Sequence, residues 1–512
     1  AAMTTTTATS GERKVIANAA DPLVRIRELY EAGDYPGAYE IAKTLGPMSR
    51  WPGASAKVLA GRLAWQLGAV RLGMALPLRA WRDDPRDPEA LYYRSRTMLG
   101  RRGPLETLRF LDRTRIVEGA SDEIRADWEA TYAAALGGLR DFERAERRLE
   151  EAERITPGRA WLLVERSGLL EMEDRYEEAL AASKEALAAQ PWYRPAVQAY
   201  AHLLQLLDRE SEAIEFLVEA DRRMRSGVIA SQLAGLQIEA GFYTEGMATL
   251  DRYVQLSPMM DALASRWLAS RRSDASYRLG DVAGAVTYAR QAGEGFFKEV
   301  ADRMEAAGDD APRVKLAVPF VRQHHETCAP ATLAALARYW GRRADHLEVA
   351  EAICYDGTPD HRERSWALNN GWIAREFTVT WEAAVALLDR GVPFTLTTVE
   401  PGSAHLQAAI GYDSRRGTFL IRDPSLPHEG EALAQPFLER YQSVGPRGMT
   451  LAPADQPELL DGLELPDESL YDRLHRIKCA LADHDRKAAA AELEAMTADA
   501  PDHRLTLQAR RH

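Results

Sequence analysis

The 512-residue chain has only three cysteines, Cys328, Cys354 and Cys479. An odd count with no Cys-x-x-Cys pair excludes a disulfide framework and a zinc ribbon, and a reducing compartment, the cytoplasm, fits best. No run of about 18 apolar residues occurs, which argues against a membrane span. Lys and Arg form no block, and 65 basic against 77 acidic residues leave a net charge of −12. That balance argues against non-specific nucleic-acid binding. No glycine-rich phosphate loop precedes a helix, and no cofactor is expected. What remains is an ordinary globular composition, 46% hydrophobic and 28% charged, in a chain too long for one core. Residues 1–20 lack the basic-then-apolar order of a signal peptide and are expected to be disordered.

A self-similar phrase runs through the first three-fifths. Ala145, Ala179 and Ala213 are spaced by 34 residues, and Phe142 with Tyr176 and Pro157 with Pro191 keep the same offset. Earlier and later copies read Asp34-Tyr35-x-x-Ala38 and Asp281-Val282-x-x-Ala285. Each unit is predicted to be two amphipathic helices. The small Ala admits a close neighbour, the aromatic fills the gap between pairs, and the Pro ends the second helix. Asp485-Arg486-x-x-Ala489 followed by Pro501 repeats the phrase near the end. It predicts a further pair over 467–512, either capping the array or continuing into a longer natural chain. The pattern resembles the tetratricopeptide repeat family over residues 21–310. That resemblance implies a curved solenoid whose concave face can hold a peptide or partner protein, or serve only as scaffold.

Between the repeats the pattern changes. Residues 313–452 are nearly neutral, with 15 basic and 16 acidic side chains, so the acid excess lies in the helical parts. A helix from Cys328 to Trp340 is followed by β-prone runs at Phe394–Val399, Leu406–Gly411 and Thr418–Ile421, with a hairpin turn expected from Gly411 to Gly417. Cys328 opens its helix, where the helix N-terminus favours a thiolate, and Pro330 suits the first turn. Gln323, five residues earlier, can offer a side-chain amide to an oxyanion. His405 opens a strand and can serve as base for Cys328. Asp423, at the end of the next strand, can orient the imidazole.

Taken singly these are weak signals, and the ordered set carries the weight. It comprises Val318-Pro319-Phe320-x-x-Gln323-x4-Cys328-x-Pro330-Ala331, then His405-Leu406-Gln407-Ala408-Ala409-Ile410-Gly411-Tyr412-Asp413, then Ile421-Arg422-Asp423-Pro424. The set resembles the C39 family of bacterial cysteine peptidases. The resemblance implies a papain-like α+β fold, with Cys328 as nucleophile, His405 as base and acid, Asp423 as its orienter and Gln323 as oxyanion donor. Ala329 stands where the family commonly has Gly, and its methyl is expected to narrow the substrate's approach without abolishing catalysis. The best-known members are joined to a membrane transporter and cut leader peptides. No transporter segment is present here, so that role is not expected to follow.

Other readings rank lower. His324-His325-Glu326 beside Cys328 is too closely packed to hold one metal ion, and no metal is expected. Cys354 is expected to be buried, Cys479 to lie on a helix face, and His361 in a solvated loop. Trp366, Trp372 and Trp381 fit core packing better than a substrate groove. The sequence thus predicts a mostly α protein, a tetratricopeptide-like solenoid interrupted by a papain-like α+β domain. The expected function is a cysteine peptidase acting on a peptide or protein that the repeats recruit. The alternatives are an acyl transferase or peptide ligase using the same thioester, and a non-catalytic interaction scaffold. Oligomeric state is not readable.

Overall fold

The computed structural model describes residues 21–116, 119–308 and 310–512; the expectation for residues 1–20 falls outside them. From Pro22 to Ala292 the described chain folds as eight successive helix pairs, and the single helix Phe296–Ala306 follows. Local chemistry sets the turns. Asp34, Asp141 and Asp281 precede a second helix, and their carboxylates accept from the N–H groups of Gly37, Arg144 and Gly284, satisfying donors that the helix cannot. The fourth residue of every second helix is small: Ala38, Gly73, Thr107, Ala145, Ala179, Ala213, Gly246 and Ala285. All eight are buried, because the partner helix crosses there. A Cβ on Gly246 would lie 2.6 Å from Ile238 Cγ1, and one on Gly73 would lie 2.9 Å from Trp65 Cβ. Repeats that look degenerate in sequence therefore obey the same packing rule with a smaller residue.

The array closes on itself. The Met259 and Asp261 N–H groups donate to the carbonyls of Leu67 and Gly68 at 2.9 and 3.1 Å. The Asp261 carboxylate accepts from Arg71 N at 2.7 Å. The turn of the second pair thus meets the link between the seventh and eighth. A cavity of about 780 Å³ remains inside, lined by Arg62, Tyr93, Arg96, Trp161 and Arg194 among others.

The inserted domain is built on nine strands: β1 (Arg313–Lys315), β2 (Trp372–Ile373), β3 (Glu376–Thr378), β4 (Phe394–Glu400), β5 (Ser403–Asp413), β6 (Thr418–Arg422), β7 (Gly430–Leu433), β8 (Arg447–Thr450) and β9 (Ala452–Pro453). The main sheet is antiparallel in the order β3-β8-β4-β5-β6-β7, with β1 paired to the far end of β5. β2 and β9 form a separate pair. The helix Cys328–Tyr339 is buried along most of its length and packs on the sheet through Leu333, Leu336, Ala408 and Ile410. Phe377, Phe394, Tyr412 and Phe419 fill the other face. Trp372 is buried, and Trp366 and Trp381 pack against these two cores.

The helices Glu468–Ala482, Arg486–Asp499 and Arg504–Ala509 follow the sheet and pack back onto the inserted domain. Arg364 pairs with Asp472, Arg375 with Glu468 and Lys478 with Asp360. Beneath them Arg447 bridges Glu363 and Glu376, each at 2.6 Å, with all three side chains under a tenth exposed.

Three local expectations are corrected. The turn begins later than Gly411, because β5 runs on through Asp413 and only residues 414–417 turn. Pairing with β1 holds Gly411 opposite Lys315, and a Cβ on Gly411 would lie 2.2 Å from the Val314 carbonyl. Cys354 is partly exposed rather than buried, with its thiol donating to the Glu326 carbonyl at 3.4 Å. His361 sits in the first turn of the helix Asp360–Asn369 and is half-buried; there Asp360 accepts its N–H at 2.7 Å.

Candidate active site

Cys328 is the first residue of its helix and is partly exposed. Thr327 ahead of it does not cap the helix. Its hydroxyl turns back, accepting from His324 N at 2.8 Å and donating to His324 O at 3.1 Å. One turn into the helix, Thr332 Oγ1 donates to the Leu406 carbonyl at 3.1 Å. That bond ties the helix to β5 at the residue after His405. Ala329 is 2% exposed, so its methyl adds to the packed interior and presents almost no surface to the cleft.

His405 is the third residue of β5. Ala408 pairs with Arg422, a register that sets Asp423 opposite Gln407 and diagonal to His405. The His405 Nε2 lies 2.9 Å from Asp423 Oδ1. This leaves Nδ1 as the nitrogen not engaged by Asp423, and the Cys328 side chain is near enough to help raise the imidazole. The bond to Asp423, then the bond to Cys328, outweigh burial and raise the imidazole from 6.5 to about 10. Burial pushes the Asp423 carboxyl up, but bonds from His405 and Ser425 win and hold it below the usual carboxylate value. By contrast, burial lowers both His324 and His346, the latter to about 4. Around neutral pH, His405 is thus the charged imidazole beside Cys328, while His324 and His346 are neutral.

Ser425 is a member that sequence reading missed. Its N–H and Oγ both donate to Asp423 Oδ1, at 2.7 and 2.6 Å. The spacing Asp-x-Ser, with Pro between, is a turn signal that could have found it. Gln323 reaches this group through its main chain, donating its N–H to the Pro424 carbonyl at 3.0 Å. Its Oε1 is buried and has no hydrogen-bond partner among the described residues. Turning the carboxamide over exchanges that oxygen for its NH₂ donor. The structure therefore bonds His405 to Asp423, brings Cys328 near that imidazole and fixes the Gln323 main chain beside Asp423.

This helix-start thiol facing a strand-borne imidazole and carboxylate can carry nucleophilic chemistry at a carbonyl. Residues 315–449 match the model of the Peptidase_C39 like family. The insert is C39-like over these residues. Among solved structures, the peptidase domain of Streptococcus ComA, described as a bifunctional ABC transporter of a quorum-sensing pathway, is 20% identical. It covers 27% of this chain and 98% of its own, at a TM-score of 0.22. A tetratricopeptide repeat protein from Parabacteroides merdae is 14% identical over 55% of this chain and 94% of its own, at a TM-score of 0.30. The tetratricopeptide protein TTC0263 of Thermus thermophilus is 22% identical over 43% and 98%, at 0.26. No curated protein sequence matches the chain. Among the described residues, no group of three or more His, Cys, Asp or Glu side chains is placed to hold a metal ion, and no helix is long and apolar enough to cross a membrane.

Proposed function

We propose that this chain is a cysteine peptidase acting on a peptide or protein, with the C39-like domain as catalyst and the tetratricopeptide-like array as recruiter of substrate. The observation that carries the reading is the His405 imidazole, bonded at 2.9 Å to Asp423 on one side and in reach of Cys328 on the other. The Cys328 sulfur, having passed its proton to His405, attacks the scissile carbonyl, and a C–S bond forms as the carbonyl oxygen takes the electron pair. The Cys328 N–H at the helix start and the Gln323 amide hold that oxyanion. His405, already protonated, gives its proton to the departing amine as the C–N bond breaks. Water, deprotonated by His405, then releases the acyl group as a carboxylic acid and frees the sulfur. Asp423, fixed by Ser425, keeps Nε2 bonded and so points Nδ1 at the sulfur throughout.

The test is the pH dependence of Cys328 alkylation by iodoacetamide in the wild type, His405→Ala and Cys328→Ala. The reading expects rapid labelling at neutral pH, slowed at least tenfold by His405→Ala and abolished in Cys328→Ala. A labelling profile that ignores His405 overturns it and turns attention to the array as an interaction scaffold.

A further inference from the structure

The segment that carries Gln323 is not held by the C39-like domain alone. The turn of the fifth helix pair, Asp174 to Tyr176, rests against it. The Tyr176 hydroxyl lies 3.2 Å from the Gln323 carbonyl and 3.1 Å from Asp174 Oδ1, and it accepts from Arg322 Nε at 3.1 Å. With one proton for two acceptors, the hydroxyl is shared between its own turn and the catalytic segment. Arg322 continues the chain by donating to the Ser425 carbonyl. Asp174 Oδ2 accepts from His325 N at 3.0 Å. The Tyr176 ring meets His324 edge to face at 5.7 Å. Arg322, Gln323, His324 and His325 are four consecutive residues, and each touches this one turn. They lie between it and the Asp423–Ser425 corner.

We infer that Tyr176, a residue of the helical array, is a positioning residue for the reaction at Cys328: it sets the segment carrying the oxyanion donor Gln323. The array is then a structural part of the catalytic site as well as a recruiter. The inference rests on the reading of Cys328 as nucleophile. Phe142 holds the equivalent position one pair earlier, so the repeat accepts a ring without a hydroxyl there. Tyr176→Phe therefore keeps a ring that the repeat accepts and removes the hydroxyl, both its shared proton and the acceptor for Arg322 Nε.

Two reactions separate this role from a general loss of structure. Iodoacetamide alkylation senses the thiol and imidazole and builds no oxyanion. Acylation by p-nitrophenyl acetate forms the Cys328–acetyl bond through a tetrahedral oxyanion and expels p-nitrophenolate. Both are measured in the full chain for the wild type, Tyr176→Phe, Gln323→Ala, the double variant and Cys328→Ala. Tyr176→Phe is expected to slow acylation about five- to tenfold while leaving the alkylation pH profile unchanged. In the Gln323→Ala background the same change is expected to cost less than about twofold, since the donor it positions is gone. The inference is overturned if Tyr176→Phe acylates at the wild-type rate while Cys328→Ala is inactive. It is overturned equally if alkylation and acylation fall together, or if the penalty persists without Gln323. A wild type that acylates no faster than Cys328→Ala removes the peptidase reading itself, and this inference with it.

Discussion

Replacing Asp423 by Asn removes one charge and keeps nearly the same shape, so it isolates what the carboxylate does for His405. Charge centres ~4 Å apart interact by about 4 kcal/mol at an effective dielectric of about 20. The His405 side chain is 34% exposed, and Asp423 is 17% exposed. Screening at that exposure reduces the interaction to about 1–2 kcal/mol, or about one pKa unit at about 1.4 kcal/mol per unit. The sign follows from the direction of the shift. His405 is raised from 6.5 to about 10, so it holds its proton through neutral pH and loses it in alkali. Without the carboxylate that loss moves down. The alkaline limb of the iodoacetamide profile in Asp423→Asn should fall about one unit lower, and acylation by p-nitrophenyl acetate should slow about twofold at pH 9, the penalty growing toward about tenfold above pH ~11. At pH 7 the imidazole is still mostly charged, and the penalty should be smaller. An Asp423→Asn profile superimposable on the wild type from pH 6 to 11 would refute the assignment of Asp423 as the source of the shift.

Three further outcomes are expected. Ser425→Ala deletes one of the three bonds to Asp423 Oδ1, worth about 1–2 kcal/mol for a hydrogen bond to a charged group; acylation should slow about five- to tenfold, and an unchanged rate would show Asp423 is fixed without it. Arg447→Met leaves Glu363 buried without its cation and Glu376 with Arg364 alone, and urea unfolding should report a loss of about 3–5 kcal/mol; adding Glu363→Gln should recover part of that loss, and a further loss would contradict the account. Gly411→Ala drives a Cβ against the Val314 carbonyl, so β1 must shift; the melting temperature should fall by the equivalent of about 1–3 kcal/mol, and an unaltered melting temperature would mean that β1 pairing contributes little.

Much of the architecture is legible in the chain because it is local. The 34-residue spacing of Ala145, Ala179 and Ala213 is a packing requirement repeated along one axis, and each copy announces itself. The runs at Phe394 and Thr418 become β4 and β6 because they are rich in β-branched and aromatic residues, and the run at Leu406 becomes β5 between them. The repeats carrying Gly73 and Gly246 are harder to see. Their small residue answers a bulky one, Trp65 or Ile238, on the preceding helix, and pairwise compensation of this kind leaves no fixed letter to search for.

The site is legible to the same depth. Cys328, His405 and Asp423 stand at element ends that sequence patterning can find. Their supports cannot be found that way. Tyr176 meets Gln323 across 147 positions, and Tyr277 reaches Asp413 across 136. Asp413 reads as an ordinary turn residue in sequence. In the fold it ends β5, is 1% exposed, accepts from Tyr277 and pairs with Arg313 at 3.2 Å. Nothing near it in the chain signals those partners.

Bonds from array to insert, among them Tyr176 to Gln323 and Tyr277 to Asp413, also constrain how such a protein can change. Repeat arrays ordinarily diversify by gaining or losing whole units, since each unit touches only its neighbours. Here the pairs between residues 176 and 277 span the distance from the Gln323 segment to the end of β5. The bonds from Met259 and Asp261 to Leu67 and Gly68 fix the number of pairs between those points as well. One extra pair in either interval would rotate and displace a contact that the other end still holds. Point substitution in the turns, rather than duplication, is the route left open to this array for altering what it binds.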